Sequence, residues 1–231
     1  MSISNLEQER ENLISEIKED RLYIVEIKDT QSYLATKRII DVIGASAGLV
    51  ILFPLFLLVF ILIKIEDPRD SAFFRQKRVG KNGKEFLMYK FRSMICNAEE
   101  MKSELLKRNE ATGPVFKIRL DPRVTVIGKF IRKTSIDELP QLFNVLKGEM
   151  SLVGPRPPLP DEVEQYTRFE KQRLIVIPGL TCYWQVNGRS NIRFEEWVEM
   201  DLKYISERTT WIDIKLIFKT FFVLFGSRDA Y

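Results

Sequence analysis

VIGASAGLVILFPLFLLVFILI, residues 42–63, is a run of 22 positions without a charge. As one helix it would measure about 33 Å, the hydrocarbon thickness of a bilayer. Its first reading is a single transmembrane pass. Pro54, in the middle, removes a backbone donor and clashes with the preceding turn, and Gly44 and Gly48 loosen the first half. The flanks do not choose a side: Lys37 and Arg38 stand before the run, Lys64 and Arg69 after it. Positive charge at both ends keeps both in the cytoplasm. A helix broken at Pro54 that enters and returns on one face satisfies both observations. The polar stretch before the run, and the lack of a small-residue cleavage site after it, exclude a signal peptide.

The rest of the composition narrows the chemistry. The 231 residues carry 36 Lys and Arg against 32 Asp and Glu, a net charge of +4, and no histidine. Ser-His-Asp and Cys-His catalysis and His-ligated metals are therefore excluded. Cys96 and Cys182 form no CxxC, so a disulfide scaffold or a Cys-only zinc site is not expected. Residues 1–36 hold eight acids and four bases, which leaves the body distinctly basic. Three units are expected: an acidic extension (1–36), a re-entrant membrane helix (37–66) and a cytosolic, membrane-associated domain (67–231).

The pattern is that of a mostly helical α+β chain. Residues 5–30 read as an exposed helix, or a helix and short strand. FFRQKRV and EFLMYKFRSM flank Gly80-Lys81-Asn82-Gly83, and Asn-Gly marks a hairpin. Helices are expected at 97–108, from about Thr125 to 133, at 162–176 and at 194–208. Trp211 to Phe225 has eleven apolar residues in fifteen; it suits a buried core helix or an amphipathic one in the membrane interface.

The stretch KFIRKTSIDELPQLFNVLKG, residues 129–148, is the most informative for chemistry. Ser135 to Glu138 fits the common capping box, but that register puts Pro140 where an N–H is needed. With Asp137 as N-cap, Pro140 falls in the first turn, so the helix is expected from Asp137-Glu138 to Lys147, with Gly148 as its stop. Two adjacent carboxylates at a positive helix end, with Arg132 and Lys133 just upstream, favour the ionised state. An ionised Asp can attack phosphorus without a base, and its neighbour can hold Mg2+. Capping with plain surface charge explains the same residues. Arg119, Arg123 and Lys129 are candidate phosphate cations. Arg156 sits on the stiff loop Gly154-Pro155-Arg156-Pro157-Pro158-Leu159-Pro160, and Gln185 to Arg189 offers amides and a guanidinium on a turn.

Taken in order, Lys37-Arg38 with Asp41, FFRQ-x-R-VG, YKFRSM, RKTSIDELPQLFNVLKGEMSLVGPRP, PGLT and WQVNGR resemble the bacterial sugar transferases, also called monotopic phosphoglycosyl transferases. The resemblance covers residues 37–231 and reaches neither 1–36 nor the four extra N-terminal membrane helices of larger members. It implies transfer of a hexose-1-phosphate, glucose or galactose, from a UDP-sugar to undecaprenyl phosphate with release of UMP. That is the initiating step of exopolysaccharide, capsule or O-antigen synthesis. Asp137 would be the nucleophile, forming a covalent phosphosugar, and Glu138 with Asp137 the Mg2+ ligands. Arg132, Arg156, Lys90, Gln185, Arg189 and Asp201 would bind substrate, Asp201 near the metal or acceptor. The membrane helix of the family enters and leaves on the cytoplasmic side of the inner membrane; it often has Ser before its central proline, where this chain has Phe53. Expected partners are the sugar nucleotide, the polyprenyl phosphate and the bilayer, with no nucleic acid and room for a homodimer. Two competing readings are a membrane-anchored scaffold with a basic face, and a glycosidase; adjacent carboxylates are poorly placed to flank a glycosidic bond.

Overall fold

The computed structural model describes residues 24–116, 118, 120–187 and 192–226, with side chains to 222. Most of the expected 5–30 element lies outside the described residues, and 24–30 have no regular structure. The fold is α+β, mostly helical, with a small antiparallel hairpin.

Helix α1 (Gln31–Ile51) starts at Thr30, whose hydroxyl accepts from Tyr33 N, and α2 (Phe53–Glu66) follows after one residue. The two meet at a 59° bend. The bend falls at Leu52 and not at Pro54 itself. Pro54 takes an early position of α2, where no N–H is required, so the continuity is lost just upstream. No single helix among the described residues is long and apolar enough to cross a membrane; this bent pair is, by length and composition. Val50, Ile51, Phe53, Leu57, Leu58 and Ile65 are exposed.

The buried stripe of α1 is Lys37, Asp41 and Ala45, spaced by four. Lys37 Nζ donates to Val153 O, Tyr204 Oη and Asp213 Oδ2, while Asp41 Oδ1 accepts from Ser151 Oγ and Leu152 N. Arg38 donates to Val145 O and Leu146 O. The glycines read as loosening α1 do another job, since the helix is unbroken through them. A Cβ on Gly44 would lie 2.7 Å from Leu152 Cδ1, so its absence allows the close approach.

Strands β1 (Phe73–Val79) and β2 (Glu85–Phe91) pair antiparallel from Phe73 opposite Phe91 to Val79 opposite Glu85. Asn82 in the turn has φ 56°, as Asn-Gly requires. Residues 97–108 are helical only from Lys102. Helix α3 (Val126–Lys133) is capped by Thr125 at the expected place. After α4 (Leu142–Lys147), the three-residue strands β3 (Ser151–Val153) and β4 (Gly179–Thr181) pair in parallel. The single helix expected at 162–176 is instead broken into Pro160–Glu164, Arg168–Lys171 and a 3-10 turn at Gln172–Ile175, because Thr167 with Glu170 forms its own capping box.

Helices α5 (Tyr183–Asn187), α6 (Phe194–Glu207) and α7 (Thr210–Gly226) close the fold. The largest core cluster joins Trp197, Tyr204 and Ile205 of α6 to Val153, Val176, Cys182 and Leu216. Two smaller clusters pack α1 onto α4 and β2, and α2 onto Phe91 and Ile131. Helix α7 is partly the expected core helix: Asp213 and Leu216 face inward, whereas Trp211, Phe218, Phe221 and Phe222 are exposed.

Candidate active site

The Asp-Glu dyad sits on a 3-10 turn, Ile136–Gln141, between α3 and α4. Pro140 has no N–H with which to continue an α-helical ladder, and the tighter turn accommodates it. The expected helix from Asp137 to Lys147 is therefore split at Leu142, and only its stop is as read, with Gly148 at φ 79°. Ser135, at φ 56°, makes no side-chain capping bond, so the capping box is absent.

The turn packs against β2, which brings Lys90 Nζ to 2.7 Å from Glu138 Oε1. Asp137 is only 8 % exposed, while the Glu138 side chain keeps 42 % of its surface. Burial pushes the Asp137 carboxyl up to about 7; Lys90 and Arg132 pull it down, and the charge of Glu138 raises it. This corrects the expectation of a plainly ionised Asp137, which took account of nearby charge but not of burial. Burial also works against the charge of Glu138, but Lys90, Arg156 and Arg78 together hold its carboxyl below the ordinary value.

The proline-rich loop is fixed from β1: Val79 N donates to Pro158 O at 2.9 Å and an Arg78 terminal nitrogen to Pro157 O at 3.0 Å. Arg156 then lies with its guanidinium 5.5 Å from the Trp197 ring centroid and close enough to Glu138 to lower its pKa. The site therefore gathers Asp137, Glu138, Lys90, Arg132 and Arg156. It adds Arg78, which the residue pattern alone did not single out. Alternation puts Gln76 and Arg78 of FFRQKRV on one strand face, and only folding buries Arg78 there.

Residues 32–227 match the family model described as bacterial sugar transferase. The chain belongs to this family. It is 51% identical over 198 residues to the galactosyl transferase CpsE of Streptococcus agalactiae, covering 85% of this chain and 44% of that protein. It is 43% identical over 203 residues to an undecaprenyl-phosphate galactose phosphotransferase of Salmonella typhimurium, covering 84% of this chain and 41% of that one. The chain thus spans under half the length of these two relatives. The exopolysaccharide production protein ExoY of Rhizobium meliloti is 40% identical over 199 residues, covering 84% of this chain and 88% of ExoY.

The other residues expected in the site of this family member have partners or positions of their own. Asp201 is fully buried and paired with Arg173, whose guanidinium lies 4.6 Å from the Trp197 centroid. It anchors Arg173 beside the ring that Arg156 also faces. Gln185, on α5, has its amide nitrogen 3.5 Å from Leu180 O. Arg189 and Arg119 lie outside the described residues. Arg123 is not a free phosphate cation, because its guanidinium forks onto Asp121, with Nε at 2.9 Å and a terminal nitrogen at 2.7 Å. Lys129 is exposed on α3.

Among the described residues, no three Asp, Glu or Cys side chains converge as a ready metal cage. Mg2+ commonly takes one or two carboxylates and completes its shell with substrate phosphates and water. The donor set of Asp137 and the half-exposed Glu138 fits that mode.

Proposed function

We propose that this chain transfers a hexose-1-phosphate, from UDP-galactose or UDP-glucose, to undecaprenyl phosphate, starting the assembly of an exopolysaccharide, capsule or O-antigen. The observation that carries the reading is the dyad: a buried Asp beside a Glu tied to Lys90, next to an arginine on a clamped loop, in a chain with no histidine. Supporting it, relatives of the same family are described as galactose and glucose phosphotransferases acting on undecaprenyl phosphate.

In this mechanism an Asp137 oxygen attacks the β-phosphorus of the UDP-sugar. The bond from that phosphorus to the bridging oxygen breaks, and UMP leaves with that oxygen and its electron pair. A phosphate oxygen of the lipid carrier then attacks the same phosphorus and Asp137 departs as a carboxylate, giving a diphosphate-linked sugar. Neither nucleophile needs an imidazole: the second is a phosphate whose second pKa lies near 6. Lys90 and Arg132 draw Asp137 towards its charged form, and Lys90 fixes the Glu138 carboxylate. Arg156 supplies positive charge for the phosphates. Asp137 and Glu138 would hold Mg2+, which when bound neutralises phosphate oxygens.

The bent pair α1–α2 is then a re-entrant segment in the cytoplasmic face of the inner membrane. Its apolar outer side and the exposed aromatics of α7 would face lipid. The 59° bend and Lys64 and Arg69 beyond it support this. Lys37 contributes less than its position suggests, since Asp213 neutralises it. Labelling cysteines placed at the two ends of the pair should find both on the cytoplasmic face; opposite faces would rule out re-entry.

The decisive assay supplies Mg2+, undecaprenyl phosphate and a panel of UDP-sugars. UMP is the expected nucleotide product, and UDP would overturn the proposal. With the acceptor omitted, mass spectrometry should find a hexose-phosphate on the peptide containing Asp137.

A further inference from the structure

Several arginines buried in this fold come with carboxylates. Arg92 reaches Asp67 and Asp70, Arg123 forks onto Asp121, Arg173 pairs with Asp201 and Arg208 with Asp29. Arg78 departs from the pattern. It is 4 % exposed, and among the described residues its bonds go to neutral groups: Pro157 O at 3.0 Å and the Gln76 side-chain oxygen at 2.7 Å. Its Nε is buried with no hydrogen-bond partner. The charge acting on it most strongly is a second cation, Arg156, ahead of Glu162 and Glu138.

A guanidinium taken out of water without a counter-charge is costly, and a second one beside it adds repulsion. A bound anion removes both penalties, and two neighbouring guanidiniums match one carrying several charges. Glu138 feels both arginines, so the pair lies beside the dyad. We propose that Arg78 and Arg156 form a seat for a diphosphate, with Arg78 Nε donating to one of its oxygens. This rests on the phosphosugar-transfer reading and deepens it by assigning the donor diphosphate its counter-charges. Gln76 has a defined part in the seat: its oxygen holds one side of the Arg78 fork without neutralising it. Arg78 also holds the loop that carries Arg156, so the two cations are set by one brace.

The test is thermal unfolding of the full chain in detergent, titrated with inorganic pyrophosphate in the presence of EDTA so that no divalent cation bridges it. Pyrophosphate should raise the Tm of the wild type. Arg78→Gln and Arg156→Gln should each weaken its binding by about tenfold or more. Gln76→Glu deletes no charge and gives Arg78 an internal carboxylate; it should raise the ligand-free Tm and weaken pyrophosphate binding to a similar extent. If Arg78→Gln does not fold, Gln76→Glu carries the test alone. Unchanged pyrophosphate binding in Gln76→Glu, or in a folded Arg78→Gln, would overturn the seat. The two readings fail separately. Variants that lose pyrophosphate in a protein that releases UDP leave the seat standing and remove the transfer reaction. Variants that keep both pyrophosphate binding and UMP release remove the seat alone.

Discussion

Two lysine–carboxylate pairs in this protein use the same chemistry for different ends. Lys37 and Asp213 are 2.9 Å apart, with side chains 9 % and 3 % exposed. Every capacity of the ammonium is used, on Val153 O, Tyr204 Oη and Asp213, and both Asp213 oxygens accept, from Lys37 and Tyr33 on one side and Tyr204 on the other. Lys90 and Glu138 are 2.7 Å apart, but Glu138 is half open and its neighbour Asp137 is a second, buried carboxyl. A saturated polar network has nothing left to bind and serves as a fastener, here between α1 and the body. An unsaturated one keeps donors and acceptors for a ligand.

The sharpest break between the two regions is kinetic. Asp137→Asn should lower UMP release by about a thousandfold or more, since it removes the attacking oxygen, and should abolish the trapped hexose-phosphate. Turnover near wild type would end the covalent reading.

Next comes stability. Lys37→Met leaves Asp213 buried without its cation and should cost about 3–5 kcal/mol, read from denaturant unfolding. Lys90→Met frees a half-exposed carboxylate and should cost about 1 kcal/mol or less, while lowering turnover about a hundredfold. If the Lys90 variant unfolded as readily as the Lys37 variant, the two pairs would be alike and the contrast would fail.

The third is a pH dependence. The folded Asp137 carboxyl is pushed up to about 7. Between the ordinary carboxylate value and that point, the folded state holds a proton the unfolded chain has lost. Its contribution is therefore full at low pH and is lost as pH rises towards 7. Asp137→Asn cannot ionise, so the variant and wild type should match near pH 4 and diverge up to about pH 7. Above that the variant should be the more stable, by about 4 kcal/mol. A difference that does not change with pH would show that Asp137 ionises as an ordinary surface carboxylate does. Smallest is Cys96→Ser: the thiol is exposed and bonds Asp67 at the surface, so stability should stay within about 0.5 kcal/mol.

Much of this was legible in the chain. The hairpin was marked by Asn82-Gly83, the start of α3 by Thr125 and the stop of α4 by Gly148, because a turn or cap is settled by a few adjacent residues. The break in the apolar run was equally plain at Pro54, though the bend falls at Leu52. Where the reading failed, a competing local bond or the folded surroundings decided the outcome. The helix expected at 162–176 broke at a local cap that the longer apolar pattern obscured. Arg123 looked like a phosphate cation until folding set it on Asp121. Asp201, read as lying near the metal or acceptor, is buried and pairs with Arg173 beside Trp197.

By itself, then, the sequence determined which chemistry was open to this protein: carboxylate, lysine and arginine without histidine, on a mostly helical frame with one broken apolar helix. Residue types and near-neighbour spacing carry that information. Only the tertiary structure decided that Asp137 is buried while Glu138 stays half open, that Lys37 and Asp213 saturate each other, and that Arg78 is left beside Arg156 without a carboxylate of its own. Burial and local charge belong to a point in space where several segments meet, and those segments are 48 to 180 residues apart along the chain.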